Sequence, residues 1–139
     1  MDRKRVWIAS LAVFVVIFVA ELVLHGIWLK ELYEQTSTVW RPMSEMQGMM
    51  WIMWVSYFFV SLVFVLIYTK GLESGKSGLG QGLRYGFLIG FFMAIPAAFI
   101  SYVILPIPYV LAVGWFVGTM IEFVLAGMVA GLIYPPLKK

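Results

Sequence analysis

Cysteine is absent from this 139-residue sequence, histidine occurs once, and only 12% of the residues are charged. Without cysteine there is no disulfide framework and no thiolate site for metal or redox chemistry. The charged fraction is about half that of a soluble domain. With 63% hydrophobic and 17% aromatic residues, the chain carries more apolar surface than a fold of this length can hide from water. The net charge of +3 is small and sits beside apolar runs, which points to a membrane surface. No basic stripe with interleaved stacking aromatics is present, so nucleic acid is not an expected partner. No serine, histidine and acid come together as a hydrolase site and no paired carboxylates flank a cleft, so no enzyme is expected.

One stretch imitates a phosphate site. "GLESGKSGLGQGLRYG", residues 71–86, places Gly75-Lys76-Ser77 after closely spaced glycines. A P-loop needs a further glycine at the position held by Lys70, and the dinucleotide fingerprint needs one at 85, whereas the glycine is at 86. Both motifs follow a buried strand. Here a long apolar run, "WIMWVSYFFVSLVFVLIYT", comes first, so the segment reads as a flexible Gly/Ser loop with lysines toward lipid headgroups.

What the sequence has in abundance is long apolar runs. A membrane helix takes about 20 such residues, and four runs qualify: roughly 7–29, 49–69, 85–105 and 109–134, in one transmembrane domain. The first run is too long for a signal peptide and no small-residue cleavage site follows it, so it stays attached as a span. Only Pro106, Ile107 and Pro108 separate the last two, which dictates an antiparallel hairpin. The charges cluster between the runs. Arg3, Lys4, Arg5, Lys70, Lys76, Arg84, Lys138 and Lys139 fall on one side, Lys30 and Arg41 on the other. The expected fold is an all-α integral membrane four-helix bundle with cytoplasmic N and C termini.

Small residues recur every four positions in the last two spans: Gly82, Gly86, Gly90, Ala94 and Ala98, then Gly114, Gly118, Ala126 and Ala130 around Glu122. Such faces let two backbones approach closely in lipid, and the two are expected to meet in the hairpin or to be shared with a second subunit. The only charges inside the runs are Glu21 and Glu122. Each costs about 2.5 to 3.5 kcal/mol at a bilayer centre, so neither is expected to face lipid. Glu122 is either a proton or cation site or a neutral carboxyl bonded to Ser61, Thr119, a backbone carbonyl or Arg84. Glu21 and His25 share a helix face one turn apart. At about 1.5 Å per residue the two glutamates differ in depth by roughly 10 Å, which argues against one carboxyl pair. "ELVLHGI" and "EFVLAGM" read as one phrase in two antiparallel spans, as in an inverted repeat.

Met43, Met46, Met49, Met50 and Met53 crowd the start of the second span, on the side of His25. Thioether and imidazole suit Cu(I) or haem, making His25, Met46, Met50 and Met53 weak metal candidates. Soft packing is the competing reading, and no cofactor is expected. Trp28, Trp40, Trp51, Trp54 and Trp115 form an interfacial belt at that end, and Arg41 can pair with Glu45 after Pro42.

At "VWRPMSEM", "GLRYGFLIG" and "LPIPYVLAVGWFVG" the sequence resembles small four-span bacterial membrane proteins without assigned activity. The resemblance covers most of the chain from about Glu21 onward and implies architecture only, with no catalytic residues; the expected location is a bacterial inner membrane, crossed several times. Small multidrug exporters are similar in having about four spans and a glutamate in the first. The second glutamate in span four and the long loop depart from their pattern. The expected function is a structural or accessory subunit in a membrane complex, partnered by the bilayer and by a second copy or other subunits. The alternative is a small oligomeric transporter or channel using Glu21 and Glu122.

Overall fold

The computed structural model describes residues 2–136. Lys138 and Lys139, two of the basic residues used for the topology, lie outside the described residues. Among those described there is no strand. Helix α1 (Arg3–Val23) continues through a π-helical turn (Leu24–Trp28). A short α2 (Lys30–Gln35) and a 3-10 turn (Ser37–Val39) lead to α3 (Met43–Lys70). Helix α4 (Gly78–Ile95) runs through a second π turn (Pro96–Ile100) into α5 (Ser101–Ile104), and α6 (Tyr109–Ile133) follows. The four long helical units are long and apolar enough to cross a membrane.

Two of these helices begin well before their apolar runs. Backbone chemistry sets those starts. Pro42 precedes the first turn of α3, and the Ser77 side chain accepts from the Gly80 N–H to cap α4. The Gly-Lys-Ser look-alike is therefore a helix cap. Nor is its loop the free tether expected from its composition. Glu73 pairs with both Lys76 and Arg84, and the Gln81 amide bonds the Glu73 backbone in both directions at 2.7 and 3.1 Å. Hydrogen bonds from Lys76 and Arg84 hold the Glu73 carboxyl far below its usual range, at about 2. A depressed folded value means that this pairing is present above the ordinary carboxylate range and is lost only as pH falls through about 2.

Helix α1 lies between α3 and α6, and α4 packs on α6. The apolar stripe Val6, Ala9, Val13 and Ile17 of α1 meets Phe64, Val65, Phe123, Ala126 and Ala130 in the main core. At the chain ends, the Asp2 N–H donates to the Tyr134 hydroxyl (2.9 Å), and Tyr85 donates to the Phe64 carbonyl (2.7 Å), joining α4 to α3.

The small-residue faces do not meet as expected. Gly82 and Gly86 of α4 lie against Gly127, Gly131 and Phe123 of α6; a Cβ on Gly82 would fall 2.1 Å from the Gly127 carbonyl oxygen. Gly90 meets the Phe123 side chain, and Ala94 and Ala98 are fully buried. The stripe Gly114, Gly118, Glu122, Ala126 and Ala130 instead faces α1, with Leu29 seated on Gly114 and Leu24 on Gly118. One residue step along α6 separates the two faces, about 100° of rotation, so α6 offers one small face to each neighbour.

Candidate functional site

The seating of Leu24 and Leu29 builds the site. Five residues separate them, against four between their sockets Gly118 and Gly114. In a continuous α-helix a five-residue step turns a side chain well off the face. The π turn corrects this: the Leu29 N–H bonds the Leu24 carbonyl at 2.9 Å, an i→i+5 bond that brings Leu29 back toward α6. With that register, the next contact along α1 is Glu21 against Glu122.

The two carboxyls come close enough to interact directly. This overturns the depth argument. Counting from the ends of apolar runs assumes that α1 and α6 start level, whereas the leucine sockets set the register. The neighbour of Glu122 is thus Glu21, while Ser61 donates to the Tyr57 carbonyl (2.7 Å) and Arg84 pairs with Glu73. The two glutamates of the repeated phrase are the ones that touch.

From this pair a polar chain runs to the far end of the bundle. Tyr57 of α3 donates to Glu21 Oε2 at 2.9 Å, and His25 Nε2 lies 3.2 Å from the same oxygen. His25 Nδ1 is 2.5 Å from the Tyr33 hydroxyl, which accepts from Trp115 Nε1. An indole nitrogen can only donate. With Trp115 donating to it, the Tyr33 hydroxyl can direct its own proton to His25 Nδ1, an arrangement in which His25 donates from Nε2 to Glu21. Burial raises the Tyr33 phenol to about 12, so it keeps that proton at neutral pH. Tyr57 and His25 both converge on Glu21 Oε2, so Glu21 is the acceptor of the cluster, and a proton shared by the two carboxyls would sit on Glu122.

Exposure grades along the chain. Glu122 is 4% exposed, the Glu21 side chain 20% and that of His25 38%. Trp40 shields Tyr33 edge-on, donates to Thr36 Oγ1 (3.0 Å) and meets Trp115 in a second edge-to-face contact. In the opposite direction from Glu122 the interior is apolar: Ile17, Val13, Ala9, Val65, Ala126 and Ala130 are buried, and the buried hydroxyls among the described residues are those of Ser61, Tyr68 and Ser10, the last without a partner. The site opens at one end only.

His25 uses both ring nitrogens in this chain, on Glu21 and Tyr33. Met43 and Met53 are exposed on α3 and Met46 and Met50 partly buried. Among the described residues no group of three or more His, Asp or Glu could hold a metal. Arg41 and Glu45 stand 3.9 Å apart, both exposed. Tyr33, Tyr57 and Trp115, which complete the site, carry no distinguishing spacing in the sequence. Gly127 and Gly131, the partners of α4, do carry a four-residue spacing that could have marked them.

Fold and site together define an all-helical bundle of four apolar helices around a one-ended carboxyl and hydroxyl chain. Comparison with protein-family models, curated proteins and solved structures found no match.

Proposed function

We propose that this chain is a multi-pass membrane protein of a bacterial inner membrane that binds and releases a proton at the Glu21–Glu122 pair, serving as a proton-responsive subunit of a membrane assembly. The observation that carries the reading is the unbroken chain Glu122, Glu21, His25, Tyr33 leading from a buried carboxyl to a half-exposed imidazole. Ionisable groups in membrane spans are expensive and are retained for proton and ion handling. The apolar half below Glu122 favours proton binding over steady conduction, and a complete path across the bilayer then requires a second conformation or another subunit.

Infrared spectra of the protein in lipid vesicles test this. A protonated-carboxyl band at neutral pH, lost in Glu122→Gln and altered by His25→Gln, is the expected result, with no steady proton flux through the wild type. Absence of that band, or its persistence in Glu122→Gln, refutes the proton site; a steady wild-type flux removed by Glu122→Gln makes the chain a conductor instead.

The same reading places α2 outside and the α3–α4 loop inside, following the distribution of basic residues. Because the native chain has no cysteine, single cysteines at Ser37 and Ser74 report this directly. An impermeant thiol reagent added to intact cells is expected to label the first only; labelling of the second alone inverts the topology.

A further inference from the structure

At the end that carries both termini, α1, α3 and α6 stop around an open cleft of about 510 Å³. Its cations come from two helices: Arg5 from the first turn of α1 and Lys70 from the last residue of α3. Tyr134 and Ser74 supply hydroxyls, and Leu72 and Pro135 an apolar wall. Asp2 also lines the cleft and pairs with Arg5 at 3.3 Å, while Lys70 has no acidic partner among the described residues. Two cations against one carboxylate leave a net positive cleft, and the adjacent Arg3 and Lys4 are exposed. The bond from Asp2 N–H to Tyr134 ties α1 to α6 at this cleft, so its walls are held by the fold.

We propose that this cleft binds the phosphate of an anionic lipid headgroup. The chemistry is that of a phosphate monoanion meeting a guanidinium and an ammonium, with hydroxyl donors beside them. Position selects the lipid source over a soluble phosphate. The cleft lies where three apolar helices end, which on the membrane reading is the headgroup layer, and its apolar wall suits the glycerol and first acyl carbons. The volume falls within the range of sites for small ligands. The inference rests on that membrane reading and on nothing in the carboxyl pair. Lipid bound here would brace the ends of α1, α3 and α6 against one another.

Native mass spectrometry in mild detergent tests the site with phosphatidylglycerol, phosphatidylcholine and inorganic phosphate as probes. A basic residue at an anionic lipid surface contributes about fivefold in affinity, so two give a preference for phosphatidylglycerol over phosphatidylcholine of roughly 25-fold. The double substitution Arg5→Gln with Lys70→Gln is expected to abolish that preference, and Lys30→Gln, at the far end, to leave it intact. Equal retention of the two lipids, a preference that survives the double substitution, or inorganic phosphate displacing phosphatidylglycerol would each overturn the assignment. Should the double variant fail to fold, Lys70→Gln alone is expected to reduce the preference about fivefold, and no reduction counts against the site. Failure of the membrane reading registers separately, as protein released from native membranes by alkaline carbonate without detergent.

Discussion

Gly82→Ala, Gly86→Ala and Gly127→Ala are each expected to separate α4 from α6. The added methyl carbon would lie 2.1 to 2.2 Å from a backbone carbonyl oxygen of the facing helix. Backbone cannot rotate aside as a side chain can, so the helices must move apart along their length. Overpacking of an interior costs about 1 to 3 kcal/mol even where side chains can adjust, and these positions belong at or above the upper end. Gly118→Ala differs in kind, because the atoms nearest its Cβ belong to the Leu24 side chain and not to backbone. It is expected to cost less and to disturb the register that joins Glu21 to Glu122. Gly26 and Gly48 have nothing within 4 Å of an added Cβ. Alanine there gains about 1 kcal/mol of helix propensity and should be neutral or stabilising. Unfolding midpoints in detergent rank the series, and a Gly82→Ala protein as stable as Gly48→Ala would disprove the close contact of α4 with α6.

Glu21→Leu is the other substitution with a large expected effect. It removes the acceptor for Tyr57, His25 and Glu122 at once. Each buried donor left without a partner costs about 1 to 3 kcal/mol. Partial exposure of His25 reduces its share, so a loss of about 2 to 4 kcal/mol is expected. Glu122→Gln should behave oppositely, since its amide can still donate to Glu21 in place of the carboxyl proton and the shape is kept. It is expected to fold with wild-type stability while holding no titratable proton at that position. Glu122→Leu falls between, because it removes one donor and leaves Glu21 bonded to Tyr57 and His25. Denaturation in detergent, read beside the infrared band, separates stability from proton binding. Glu21→Leu as stable as Glu122→Gln would mean that the polar chain does not hold the helices in this register.

The parts of the site differ in how far they are legible from residue order. Glu21 and His25 share a face because a four-residue step on a helix always does so. Glu122 stands out because it is a lone charge within a small-residue stripe. Their meeting is not legible, since it depends on how far α1 slides along α6. A π turn at Leu24–Trp28 sets that slide, and nothing in "LHGIW" announces it. Tyr33 and Trp115, 82 positions apart, come together only once α2 folds back over the bundle. The glycine-rich loop misleads in the opposite sense: its composition suggests a tether, and two cations on Glu73 with the Gln81 bridge make it an ordered turn.

By itself the sequence determined four long apolar helices, a tight turn at Pro106–Pro108 and close-packing surfaces on α4 and α6. These properties depend on neighbours within a few residues, through hydropathy, proline geometry and the 3.6-residue period. The tertiary structure alone decided which small face of α6 receives α4 and which receives α1, and so brought Glu21 onto Glu122. Glycine and alanine repeating every four positions offer several nearly equivalent registers. Only the seating of Leu24 and Leu29 in their glycine sockets, contacts between residues remote in sequence, distinguishes among them.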